Sequence, residues 1–206
     1  MKAVIFRKHG GLEVLETADL PLPEPGPGEV RVRVRACGLC RTDLHVIEGD
    51  LPPKRLPLIP GHQIVGAVDR LGTDASRFRV GDRIGIAWLR HACGQCRYCR
   101  AGRENLCESS LFTGYHVDGG YAEYAVVPEA FAYAIPPVFG DAEATPLLCA
   151  GIIGYRALAR SEVPWGGKLG IWGFGSSALI TMQVALARGF AVFVATRGEM
   201  HQALAR

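Results

Sequence analysis

Val30, Val32 and Val34 alternate with Arg31, Arg33 and Arg35. A period of two puts the valines on one face of an extended chain, so this run predicts a half-buried β-strand. Lys2–Phe6, Ile64–Val68, Arg83–Ala87 and Tyr121–Val127 are further strand candidates, punctuated by turns such as Pro25-Gly26-Pro27-Gly28 and Gly81-Asp82. Residues 1 to about 135 therefore read mostly as strands. The pattern changes after Pro136-Pro137. Asp141–Ala150 and Gly154–Arg160 look helical, Gly166-Gly167 marks a turn, and Leu169–Trp172 is a short buried strand. Ser176–Arg188 predicts a helix and Ala191–Ala195 a second apolar strand, which makes a βαβ unit. The expected fold class is mixed α/β (α+β).

The chain has 206 residues, enough for one to two domains. Apolar residues make up 49%, enough for a core, and the 26 glycines fit a turn-rich β domain. A net charge of +3 is too small to imply nucleic acid or an anionic membrane as partner. Arg97, Arg100 and Arg103 read as a solvated loop face. The apolar start meets Arg7 at once and is too short for a signal peptide. The uncharged stretch from Leu169 to Ala187 approaches a membrane-spanning length, but Gly173, Gly175, Ser176, Ser177 and Gln183 interrupt it. The cytoplasm is the expected compartment. There the seven cysteines point to metal or catalytic roles rather than disulfides.

Cys93-x2-Cys96-x2-Cys99-x7-Cys107 is the strongest local signal. Four thiolates within fifteen residues can converge on one tetrahedral ion, the geometry Zn²⁺ favours. An iron–sulfur cluster is the rival, although a ferredoxin-type run closes with Cys-x3-Cys-Pro and this one does not. Four protein ligands close a site to substrate, so the role here is structural. A second set is dispersed. Cys40, Thr42, Asp43 and His45 lie in one short segment, His62 follows in Gly61-His62-Gln63, and Cys149 lies far downstream. Cys40, His62 and Cys149 would make a Cys₂His site with one open position. No spacing rule selects ligands so far apart. Each has a plainer reading, as a small buried hydrophobe or a satisfied histidine, and Cys37-x2-Cys40 as a redox dithiol.

Several motifs occur in one order: Gly38-Leu39-Cys40-Arg41-Thr42-Asp43, Gly61-His62, Val80-Gly81-Asp82-Arg83-Ile84, the four-cysteine loop, and Gly119-Gly120-Tyr121-Ala122-Glu123-Tyr124. That ordered set is similar to the zinc-dependent, medium-chain alcohol dehydrogenases, over the N-terminal three-fifths of such an enzyme. The resemblance implies a GroES-like, β-rich catalytic domain over residues 1–150 and the opening of a Rossmann domain over residues 151–206. It implies two zinc ions. Cys40, His62 and Cys149 would hold the catalytic one, and Cys93, Cys96, Cys99 and Cys107 the structural one. Asp43 would orient His62 through its other ring nitrogen. Thr42 would accept the proton of a zinc-bound alcohol, and His45 would pass it toward solvent while hydride leaves for a nicotinamide. Trp88 falls where the family places a bulky substrate-pocket residue. Two departures stand out. Gln63 occupies a position where many members have Glu, and Ile153 one where Thr is common near the nicotinamide.

Gly173-Phe174-Gly175-Ser176-Ser177-Ala178 follows a strand and opens a helix, the setting of a dinucleotide turn. Gly173 permits the tight turn, Gly175 the approach of a pyrophosphate, and Ala178 close helix packing. The second strand ends Ala195-Thr196-Arg197, with no carboxylate before Glu199. An acid there would bind the ribose 2′-hydroxyl of NAD. Thr196 and Arg197 instead suit a 2′-phosphate, which favours NADP over NAD, unless Arg197 is only a solvated loop residue. The expected partners are a small alcohol, aldehyde or ketone, with a homo-oligomer for a full-length form. The rivals are an inactive, truncated zinc-binding remnant and a zinc-free reductase of the same superfamily. Both sets of cysteines argue against the latter.

Overall fold

In a computed structural model describing residues 1–53 and 55–206, the valine–arginine alternation forms the longest strand of a five-stranded sheet. The chain divides into two units, Met1–Leu148 and Cys149–Arg206.

The first unit opens with β1 (Lys2–Phe6) and β2 (Leu15–Asp19), an antiparallel pair. Next come β3 (Glu29–Gly38), α1 (Arg41–Glu48), β4 (Gln63–Leu71) and β5 (Arg83–Ile86). Two short strands, β6 (Leu89–His91) and β7 (Leu111–Phe112), bracket the single turn α2 (Arg97–Arg100). β8 (Tyr124–Pro128), β9 (Ala132–Ala134) and α3 (Asp141–Ala144) complete the set, followed by a 3-10 turn at Thr145–Leu148. The main sheet runs β8-β3-β4-β5-β9, with every neighbour antiparallel.

Val30, Val32, Ile64, Val68, Ile84, Ile86 and Val127 close one core on this sheet. Each fully buried aliphatic side chain contributes roughly 1.5–3 kcal/mol. The arginine face is not bare. Arg31 is buried too, its guanidinium 2.6 Å from Asp69 and 3.2 Å from Glu24.

Two expected elements differ. The strand expected at Tyr121–Val127 begins only at Tyr124, because the backbone before it bonds elsewhere. Tyr121 N–H donates to the Pro60 carbonyl, and the Tyr121 carbonyl accepts from Val4 N–H. The helix expected at Asp141–Ala150 gives way after Ala144 to the 3-10 turn that contains Pro146. Proline lacks the N–H a continuing α-helix needs.

The second unit contains α4 (Ala150–Arg160), β10 (Lys168–Trp172), α5 (Ser176–Ala187), β11 (Ala191–Ala195) and α6 (Glu199–Leu204). β10 and β11 pair in parallel, joined through α5 as the βαβ pattern predicted. Leu158, Leu169, Ala185 and Phe190 form its core. The apolar stretch Leu169 to Ala187 is thus split between a strand and a helix. Among the described residues no helix is long and apolar enough to cross a membrane.

Candidate metal centres and cofactor turn

The cysteine-rich loop bridges β6 and β7, with α2 inside it. Cys96 precedes the first residue of α2 and Cys99 lies on it, so one turn of helix sets two sulfurs on one side. The sulfurs of Cys93, Cys96, Cys99 and Cys107 all lie within 4.8 Å of one another. Cys93 Sγ is 3.9 Å from Cys99 Sγ, and Cys96 Sγ is 3.5 Å from it. Four sulfurs at 2.3 Å from a tetrahedral zinc stand about 3.8 Å apart, so this donor set fits that ion. Backbone N–H groups aim at the sulfurs as well. Cys96 N–H donates to Cys93 Sγ and Cys93 N–H to Cys107 Sγ, each at 3.3 Å. The N–H groups of Gln95 and Cys96 push the Cys93 thiol down to about 6. Burial pushes Cys99 up to about 12. All seven cysteines are free of disulfides. Arg97, Arg100 and Arg103 are exposed, and Arg97 lies 3.7 Å from Glu108.

The second constellation is built on the N-terminus of α1. Cys40 is its N-cap residue in extended conformation, and Asp43 lies one turn in. The Asp43 carboxylate is 3% exposed and accepts four hydrogen bonds. Oδ2 takes Cys40 N–H at 2.9 Å and the Tyr121 hydroxyl at 3.1 Å. Oδ1 takes Gly61 N–H at 3.2 Å and His62 Nδ1–H at 2.9 Å. His62 precedes β4 and is 1% exposed. With Nδ1 committed to Asp43, Nε2 is the nitrogen left for Cys40 or a metal. The His62 bond pushes the Cys40 thiol down to about 6, so a thiolate is available near neutrality. Cys37 behaves oppositely: burial pushes it up to about 12. That thiol is poorly suited to redox exchange or ligation.

Thr42 and His45 share one face of α1, three residues apart. Thr42 Oγ1 lies 3.7 Å from Cys40 Sγ. His45 is half-buried, its Nδ1 2.8 Å from Asp50 Oδ2. Trp88 stands edge-on to His62, ring centroids 5.0 Å apart. Its indole is stacked on Phe112 at 5.0 Å and on Tyr115 at 5.7 Å, which fixes a flat wall beside the imidazole. Gln63 is buried, with its carboxamide oxygen close to Gly38, whereas Ile153 is exposed on α4.

In the second unit Gly173 takes φ +83° at the end of β10, a conformation that favours glycine, and Gly175 caps α5. No atom lies within 4 Å of where a Cβ on either residue would be. That leaves open space over the helix N-terminus, the setting for a phosphate. Ser176, Ser177 and Ala178 form the first turn of α5. Beside the turn a cavity of about 690 Å³ is lined by Trp172, Gly173, Phe174, Ala195, Thr196, Arg197 and His201. The turn and the residues after β11 therefore face one space.

The profile of the alcohol dehydrogenase GroES-like domain matches residues 26–137. The chain belongs to the medium-chain alcohol dehydrogenase family. A probable alcohol dehydrogenase, AdhA, of Mycobacterium tuberculosis is 58% identical over 175 residues, 82% of this chain and 51% of that protein. The crystal structure of an NAD-dependent alcohol dehydrogenase superposes with a TM-score of 0.90 at 35% identity, over 99% of this chain and 61% of that one. A cobalt- and zinc-bound thermostable alcohol dehydrogenase of Pyrobaculum aerophilum does so with a TM-score of 0.90 at 31% identity, over 100% of this chain and 63% of that one. The chain spans about half the length of the curated relatives it matches.

Against this alcohol dehydrogenase background the structure brings together Cys40, Asp43 and His62, the four loop cysteines, and Gly173 with Thr196 and Arg197. Cys149 is half-buried and opens the second unit. Four participants lay outside the sequence reading as site residues. Tyr121 reaches Asp43 from 78 positions away, Phe112 and Tyr115 hold Trp88, and His201 lines the cofactor-side cavity. Tyr121 was visible only as part of a family motif, and the others carried no local signal.

Proposed function

We propose that this chain carries the catalytic domain and the opening of the dinucleotide-binding domain of a zinc-dependent alcohol dehydrogenase that exchanges hydride between a primary or secondary alcohol and NAD(P), with NADP favoured. The Asp43–His62–Cys40 arrangement carries this reading. It presents a ring nitrogen and a thiolate from one buried, hydrogen-bonded frame. Cys40, His62 and Cys149 would hold the catalytic zinc. Zinc, when bound, acts as a Lewis acid that makes the alcohol hydroxyl far more acidic. Thr42 would accept the hydroxyl proton as its own proton leaves toward His45, on the exposed side of α1 beside Asp50. Asp43 takes the Nδ1 side of His62 and so leaves Nε2 as the nitrogen that would meet the metal. The Trp88 wall, locked by Phe112 and Tyr115, selects small or flat alcohols.

The dinucleotide supplies the hydride acceptor. Gly173, Gly175 and the first turn of α5 would seat its pyrophosphate, and Thr196 and Arg197 a 2′-phosphate. NADPH titrated onto the chain and followed by fluorescence is expected to bind more tightly than NADH. Arg197→Ala is expected to weaken NADPH about tenfold, the scale of one charge-assisted hydrogen bond, and to leave NADH unchanged. Equal affinities in the unaltered chain would contradict the NADP assignment. Binding of neither would leave a zinc-binding portion without a cofactor role.

A further inference from the structure

The Gly119-Gly120-Tyr121 motif delivers a hydroxyl to the buried Asp43 carboxylate. Asp43 has two oxygens and about four lone-pair sites when ionised. Four donors occupy them: Cys40 N–H, Gly61 N–H, His62 Nδ1–H and the Tyr121 hydroxyl. The first two are backbone and stay with the fold. His62 is the residue being held. Tyr121 is therefore the only side chain outside the ligand set that restrains this carboxylate among the described residues.

The surrounding glycines explain how a ring on a distant segment gets there. A Cβ on Gly61 would lie 2.6 Å from the Tyr121 ring, and a Cβ on Gly120 2.9 Å from Cys37 Sγ. Both contacts are shorter than real Cβ atoms tolerate, so a side chain at Gly61 would push the tyrosine ring away and one at Gly120 would collide with Cys37 and Ile64 beside it. The Tyr121 backbone is fixed at both ends, its N–H 3.0 Å from the Pro60 carbonyl and its carbonyl 2.7 Å from Val4 N–H. Ring position is thus set by backbone packing, and the hydroxyl is delivered to Oδ2 at 3.1 Å.

The geometry points to Tyr121 as a positioning residue of the metal site: through Asp43 it fixes the orientation of His62 and so sets how tightly Cys40, His62 and Cys149 hold their ion. This inference rests on reading those three residues as a metal site. Without the hydroxyl, one acceptor position on a nearly inaccessible carboxylate goes unfilled, and the carboxylate can rotate about its remaining bonds.

The test is competition for Zn²⁺ between the 206-residue chain and a chelator of known affinity, for the unaltered chain, Tyr121→Phe, Asp43→Asn and the double variant. The four-cysteine loop serves as internal reference. Phenylalanine keeps the ring against Gly61 and removes only the hydroxyl. Tyr121→Phe is expected to weaken the Cys40–His62 site by about tenfold, the low end for partners of a ligating histidine, with the loop site unchanged. The double variant should bind no more weakly than Asp43→Asn, because Tyr121 acts through Asp43. A Tyr121→Phe affinity within twofold of the original would overturn the proposal. So would losses that add in the double variant, which would mark a contribution to the fold independent of Asp43. An unaltered chain that binds zinc only in the loop would overturn the metal-site reading itself, a result distinct from either.

Discussion

Cys40→Ala should lower the zinc content of the chain from two ions to one, and in a full-length form it should remove alcohol oxidation. Cys40 offers the thiolate of the site, and its low affinity for a proton comes from its bond to buried His62. Alanine removes a ligand charge and leaves the imidazole without its sulfur partner. A site with one side-chain ligand fewer holds zinc poorly, and the alcohol then keeps the acidity it has in water. Bound zinc shifts a water pKa from 15.7 to about 7, so losing the ion is expected to cut kcat/KM by more than about a thousandfold. The loop ion should remain, because its four sulfurs form a separate closed set. Elemental analysis with a kinetic assay would decide. Turnover retained by the variant would sink the assignment of Cys40.

The second large effect concerns the loop. Cys107→Ala should cost that ion and unfold the segment between β6 and β7. Residues 92–110 contain little apolar material, and among the loop residues only Cys99 and Cys107 are buried hydrophobics. A metal bound by the four sulfurs would take the place of a core there. Structural zinc contributes about 10–16 kcal/mol to the folding of small zinc modules at pH 7. A loop embedded in a larger unit would lose less. At 2–4 °C per kcal/mol, a loss of about 4 kcal/mol lowers the melting temperature by roughly 8–16 °C. Exposed Arg97, Arg100 and Arg103 supply a second readout. Trypsin should cut the variant there while sparing the zinc-loaded original. Melting and proteolysis identical to the original would show that the loop is ordered without metal.

How much of this could be read from residues alone depends on sequence distance. The valine–arginine alternation declared β3, and the apolar runs around Gly173-x-Gly175 declared a βαβ unit, because both signals lie within a few residues. The cysteine loop was legible for the same reason. Helix α1 was not read, although it carries the candidate proton relay. It spans only eight residues, and its N-cap is a cysteine, which propensity does not favour; the bond that stabilises its start comes from Asp43. Cys40, His62 and Cys149 could be grouped only by resemblance, since no spacing rule ties ligands on separate elements. Tyr121 and the Phe112–Trp88–Tyr115 stack belong wholly to the tertiary structure. Their roles follow from glycines that let backbones approach and from rings that meet across loops.

The most direct measurement is zinc per folded chain, by elemental analysis after extensive dialysis of the 206-residue protein. The account predicts two ions, one in the cysteine loop and one at Cys40, His62 and Cys149. A single ion that survives Cys40→Ala would contradict it, leaving the loop as the chain's sole metal centre.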